Sequence, residues 1–176
     1  MTQTFTHRRL AGVALAVGAA LVGSAQPATA DLGAPTSTKT RTVERAPQPA
    51  PHVVNVRTGQ HATYDRVVID LKGGAPGYRI GYVREVREDG SGKVVDTRGR
   101  ANLLVRLTPA NAHHENGSPT YAGPSRFDVD YPALRAVAFA GDFEATVAIA
   151  LGIRHKNGFR VLTLRNPTRI VVDIAP

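Results

Sequence analysis

Asp65-Arg66-Val67-Val68-Ile69-Asp70-Leu71 recurs near the C-terminus as Thr168-Arg169-Ile170-Val171-Val172-Asp173-Ile174. Both copies read x-Arg-aliphatic-Val-aliphatic-Asp-aliphatic, and this period of two belongs to a strand with one wetter face. Within each copy the Arg and the Asp share a face but stand four residues apart. That is about 13 Å at roughly 3.3 Å per residue, too far for them to pair with each other. Their partners must come from another strand. If the copies are antiparallel neighbours with Val68 opposite Val171, Arg66 faces Asp173 and Asp70 faces Arg169. Two structural ion pairs, Arg66 with Asp173 and Asp70 with Arg169, are therefore expected.

The same alternation continues on both sides of this pair. Leu103, Val105 and Leu107 form one series, and Phe143, Ala145, Val147, Ile149 and Leu151 a longer one. Apolar runs at 134–140, 159–164 and 169–174 flank the longer series, and Gly141-Asp142, Asn157-Gly158 and Asn166-Pro167 supply turn chemistry between them. The C-terminal third thus predicts a four-stranded antiparallel meander. Residues 78–86 and 93–95 flank Glu88-Asp89-Gly90-Ser91-Gly92, a further hairpin. Eight to nine short strands and no helical period predict an all-β, antiparallel β-sandwich over residues 52–176. The alternation stops across 109–126, where Ala112-His113-His114-Glu115-Asn116-Gly117-Ser118-Pro119 reads as a long loop and the first place to look for a site.

The N-terminus has a different character. His7-Arg8-Arg9, an apolar run over 10–22 and the small-x-small Ala28-Thr29-Ala30 predict a signal peptide over residues 1–30, cleaved after Ala30. The run falls short of the roughly 20 residues that span a bilayer, so a secreted, extracytoplasmic product with no transmembrane segment after cleavage is expected. The chain has no cysteine, which excludes a lipobox, a disulfide framework and any thiol nucleophile. Residues 31–51, rich in Pro, Ala and Thr, predict a disordered linker. Removing Arg8 and Arg9 from the 22 basic residues leaves 20 against 14 acidic ones, a formal charge of +6. Such a charge attracts anions, which for an exported protein means peptidoglycan carboxylates, teichoic-type polymers or lipid headgroups rather than nucleic acid.

Candidate chemistry is sparse. Beyond residue 30 the serines are Ser37, Ser91, Ser118 and Ser125, none within Gly-x-Ser-x-Gly. His113 and His114, beside Glu115, are weak metal candidates, because adjacent residues of an extended loop point to opposite sides and no His-Glu-x-x-His spacing supports them. No metal, no cofactor and no catalytic residue are expected. The carboxylates Asp142 and Glu144 read as a turn residue and an ion-pair partner for Arg169 or Arg66. Tyr64, Tyr78, Tyr82, Arg79 and Arg84 interleave aromatic and guanidinium groups, which can stack on sugars and grip oxyanions, although Tyr78 and Tyr82 share a face with Ile80 and so point to core.

The closing motif Pro167-Thr168-Arg169-Ile170-Val171-Val172-Asp173, with the Arg-led strand near the start, resembles the AMIN domain of bacterial envelope proteins. His61-Ala62-Thr63-Tyr64-Asp65-Arg66-Val67-Val68, and Gly141-Asp142-Phe143-Glu144 leading into Leu151-Gly152-Ile153, look closer to the AMIN-like domain of secreted actinobacterial proteins. The resemblance covers residues 52–175. It implies a β-sandwich that localises envelope machinery, in part by binding peptidoglycan. The expected function is a secreted, non-catalytic cell-envelope module that binds peptidoglycan or another anionic wall polymer, with His61, Tyr64, Arg66, Glu144 and Arg169 as ligand-binding candidates. The alternatives are a partner subunit of an envelope protein complex, or a small metal-dependent hydrolase using the His113 loop.

Overall fold

The structure, a computed structural model, describes residues 32–176, so the expected signal peptide lies outside the described residues. Ten strands form two antiparallel sheets. The larger holds six strands in the order β1-β4-β5-β8-β7-β6: β1 (Arg41–Val43), β4 (Gly77–Val83), β5 (Ala101–Thr108), β8 (Thr146–Ile153), β7 (Leu134–Phe143) and β6 (Arg126–Asp128). The smaller holds four in the order β2-β3-β10-β9: β2 (His52–Gln60), β3 (Asp65–Lys72), β10 (Arg169–Ile174) and β9 (Phe159–Leu164). Their inner faces meet in one apolar cluster that draws Val67, Ile69, Ile170 and Val172 from the small sheet and Leu103, Val105, Ile149 and Leu151 from the large one. The all-β sandwich is therefore the fold, and its core follows from the period-two alternation. No helix of the described residues is long and apolar enough to cross a membrane.

The repeated heptapeptide sits at the centre of the small sheet. β3 and β10 are antiparallel neighbours with Val68 opposite Val171, Arg66 opposite Asp173 and Asp70 opposite Arg169, the register that the echo implies.

Three expectations about connections give way. The C-terminal third is not a meander: β7 and β8 pair in the large sheet and β9 and β10 in the small one, while the other neighbours of β8 and β10 are β5 and β3. Between β8 and β9 the chain crosses the sandwich, because Phe159, fully buried, enters the core from the opposite sheet. Asn157-Gly158 serves this crossing, and the glycine is needed for room: a Cβ there would lie 2.3 Å from the Pro35 carbonyl oxygen. The turn between β7 and β8 is not Gly141-Asp142 but Glu144-Ala145, with φ of 48° and 54°, the left-handed pair that a tight two-residue hairpin demands. Residues 88–92 do form a small hairpin, held by the Arg87–Val94 bridge, but its arms belong to neither sheet.

Residues 32–51 are not a disordered linker. β1 pairs with β4, Pro35 is buried, the Phe159 amide donates to the Ser37 carbonyl at 2.8 Å, and Arg45 Nη1 donates to the Pro76 carbonyl at 3.0 Å. Composition misled here because Pro and Thr remain compatible with an extended chain that finds its hydrogen-bond partners on an existing sheet edge rather than within itself. This strap runs from the β9 side of the small sheet to the β4 edge of the large one.

The opposite side is closed by the long loop after β5. Asn111 exchanges hydrogen bonds with Pro51 and Val53 of the small sheet's side, while the Ala110 and Ala112 amides donate to the Ala145 carbonyl and the Asp142 carboxylate of the large one.

Candidate site on the outer face of the small sheet

Alternation along four neighbouring strands places Arg57, Arg66, Asp70, Arg160, Arg169 and Asp173 on the outer face of the small sheet. Asp173 is completely buried at its centre, an expensive position for a carboxylate unless it is paired and hydrogen-bonded. Arg66 supplies both donors of its fork, Nε to Oδ1 at 2.6 Å and Nη2 to Oδ2 at 2.9 Å, and Arg160 adds Nε to Oδ2 at 2.7 Å. The hydrogen bond to Asp173 raises the Arg66 pKa above its ordinary value, so the guanidinium stays charged. Arg160 is held on its other side by the strap, where Nη1 donates to the carbonyls of Leu32 and Gly33, both at 2.8 Å.

Tyr64 lies against this cluster. The Arg66 and Arg160 guanidiniums sit 4.9 and 4.7 Å from its ring centroid, and the His61 imidazole stacks on it at 4.5 Å. Only 8% of Tyr64 is exposed. Expected as a surface contact, it is instead a packing platform for two cations that share Asp173 as their counter-charge. His61 remains exposed.

The second expected pair is not made. Asp70 stands opposite Arg169 in register, but its carboxylate accepts from Arg57 Nε at 2.9 Å and Nη2 at 3.1 Å, and from Asn55 Nδ2 at 3.2 Å. Two donors on β2 satisfy it from the other side, and Arg169 Nε turns to the Pro167 carbonyl at 3.2 Å. Glu144 is likewise misplaced by sequence reasoning. It is exposed at the β7–β8 turn of the large sheet and pairs with neither Arg66 nor Arg169, since the hairpin tip lies in the other layer.

Sequence reasoning missed Arg57 and Arg160. The second was within reach: a hairpin centred on Asn166-Pro167 places Arg160 opposite Asp173, which is the observed pairing of β9 with β10. Arg57 carries no such signal, because the β2–β3 pairing contains a register shift between Val53 and Asn55 that alternation does not announce.

The result is a shallow depression of about 270 Å³ whose rim carries Arg57, His61, Arg66 and Arg169 over an apolar floor that includes Val68 and Val171. Both carboxylates of this face are already engaged, so Arg169 and the outer edges of the other guanidiniums are what it presents to a ligand. Such a surface grips oxyanions and tolerates an apolar or sugar face on its floor.

The His113 loop gathers no comparable centre. His113 Nδ1 is 2.6 Å from the Asp142 carboxylate, whereas the His114 ring turns the other way, towards His52 at 5.6 Å between centroids. Among the described residues no three His, Asp or Glu side chains converge as metal ligands.

Residues 51–176 match the family model of the AMIN-like domain, 126 of the 176 residues and all of both sheets except β1. The chain belongs to the AMIN-like domain family. No curated protein and no solved structure matches the chain. AMIN-like domains are extracytoplasmic, envelope-associated modules linked to peptidoglycan, and are typically non-catalytic. In this AMIN-like domain the Arg66–Asp173–Arg160 cluster ties three strands of the small sheet together, and the strap lies outside the span of the family match.

Proposed function

We propose that this protein is a secreted, non-catalytic module that binds peptidoglycan or another anionic wall polymer on the outer face of its small sheet. The observation that carries the reading is the cationic rim of Arg57, Arg66 and Arg169, with His61 beside them, around an apolar floor, with no unengaged carboxylate on that face. Linear wall polymers present carboxylates or phosphates at intervals along a sugar backbone, which matches charged edges flanking a flat, partly apolar surface. Export by the expected signal peptide would deliver the module to that polymer.

The test is co-sedimentation with purified sacculi, with and without teichoic polymers, across a salt series. Binding at low salt that weakens as salt rises is expected, because polyanion binding releases counterions. The double variant Arg57→Gln/Arg169→Gln should bind about tenfold more weakly, the loss of roughly 1.4 kcal/mol from two exposed charge contacts. Absence of low-salt binding by the wild type, or unaltered binding by the variant, would overturn the reading. A partner subunit of an envelope complex would instead leave sacculi unbound and co-purify with a protein.

A further inference from the structure

A different group of cations meets at one end of the large sheet. Val83 pairs with Asn102 and Ala101 with Ile153, so Arg84 just beyond β4, Arg100 just before β5 and the segment leaving β8 arrive at the same end. There Arg84, Arg100 and Lys156 line a depression of about 420 Å³ together with Tyr82 and Asn102, and no carboxylate lines it. All three cations are exposed, and among the described residues none of them makes an ion pair. Their neighbours in sequence differ: Arg87 is held by Glu85 and Arg98 by Asp128.

Side chains of the depression hold the backbone at Arg84 and next to Lys156. Asn102 Nδ2 donates to the Arg84 carbonyl at 3.0 Å, and the Tyr82 hydroxyl donates to the Asn157 carbonyl at 2.7 Å. Lys156 Nζ stands 5.7 Å from the Tyr82 ring centroid, which keeps the ammonium near the depression. Three like charges held together without a counter-charge repel one another, and an anion relieves that repulsion on binding. Two guanidinium forks beside an ammonium suit oxygens that carry shared negative charge, as in phosphate or carboxylate.

We infer that this end of the sandwich is a second anion-binding site, built from Arg84, Arg100 and Lys156, that takes a multiply charged oxyanion chain. It uses none of the residues of the small sheet's outer face, so either site can fail alone. The Tyr82-Val83-Arg84 stretch singled out in the sequence contributes both a ring, which the Lys156 ammonium approaches, and a guanidinium to the lining of this depression.

Isothermal titration of the whole chain with sodium polyphosphate and, separately, with polygalacturonate tests the site and distinguishes a phosphate from a carboxylate source. The variant Arg84→Gln/Arg100→Gln/Lys156→Gln is expected to bind one or both polymers about tenfold more weakly and with a shallower salt dependence, since fewer counterions are released. Its melting temperature should stay close to the wild type, as the substitutions are on exposed side chains without ion pairs and only Lys156 meets a ring, that of Tyr82. Arg84→Lys/Arg100→Lys should retain affinity within a few-fold, which separates charge from packing. Arg57→Gln/Arg169→Gln, measured alongside, reports on the sheet face only. Wild-type affinity of the triple variant for both polymers, or no binding of either polymer by the wild type, overturns the inference.

Discussion

Asp173 holds two guanidiniums at once with no exposure of its own, and Tyr64 carries both cations on its ring. Removing the carboxylate would leave Arg66 and Arg160 half-buried with no counter-charge, the costly way to break such a group. Asp173→Ala is expected to lose about 3–5 kcal/mol of stability, measured by urea denaturation; a loss below about 1 kcal/mol would show that the cluster is dispensable. The Arg66–Asp173 half of this group was legible because the echo places like residues at like positions and antiparallel pairing then matches Arg to Asp. The Asp70–Arg169 half failed although its register is correct. Register decides which residues can meet, but Asp70 has neighbours on both sides, and the donors on β2 reach it. Tyr64 failed for a related reason, since a ring next to two arginines reads as a ligand platform until the third partner, Asp173, is placed.

At the scale of elements, alternation revealed the strands but not which sheet each one joins. The large sheet shows why. Ala138, Ala140, Ala148 and Ala150 on its outer face are all buried, because the connection between β4 and β5 crosses over them with Val86 and Val95 facing down. A strand apolar on both faces is covered on both faces, which is the signal the sequence did contain. The crossing leaves no spare volume: a Cβ on Gly152 would lie 1.8 Å from the Thr97 carbonyl oxygen, backbone that cannot swing aside. Gly152→Ala is expected to lift this arm at a cost of about 3 kcal/mol, seen as faster hydrogen exchange at the Val95 amide, which donates to Val86. Unchanged exchange there would refute the close-contact account. The strap makes the converse case. Its hydrogen bonds reach both sheets, yet the buried core cluster is drawn from residues 53–174. Deleting residues 32–46 should leave a folded domain that melts about 10 °C lower, from the loss of roughly 2–3 kcal/mol of hydrogen bonding. Failure to fold would instead make the strap part of the domain proper.

For the molecule as a whole, the two sheets have been given unequal outer faces. The arm converts that of the large sheet, over β7 and β8, into a second interior, whereas the small sheet keeps an open, cationic one. That asymmetry, rather than the sandwich itself, is what directs attention to Arg57, Arg66 and Arg169, and its mark in the sequence is the small apolar residues on both faces of β7 and β8, where the small sheet's outer face carries charges. It also has a genetic side. The covered face depends on alanines and glycines, and a single base change in an alanine codon yields Val, Thr, Ser, Pro, Asp, Glu or Gly. All of these except glycine are larger than what they replace, under an arm already in contact with the sheet. Point mutation therefore pushes this face almost always towards crowding, so its small residues are expected to be among the least permissive to drift in the chain, while Arg57 and Arg169 of the open face, which stand apart from the Asp173 cluster, can change with the ligand and leave the fold intact.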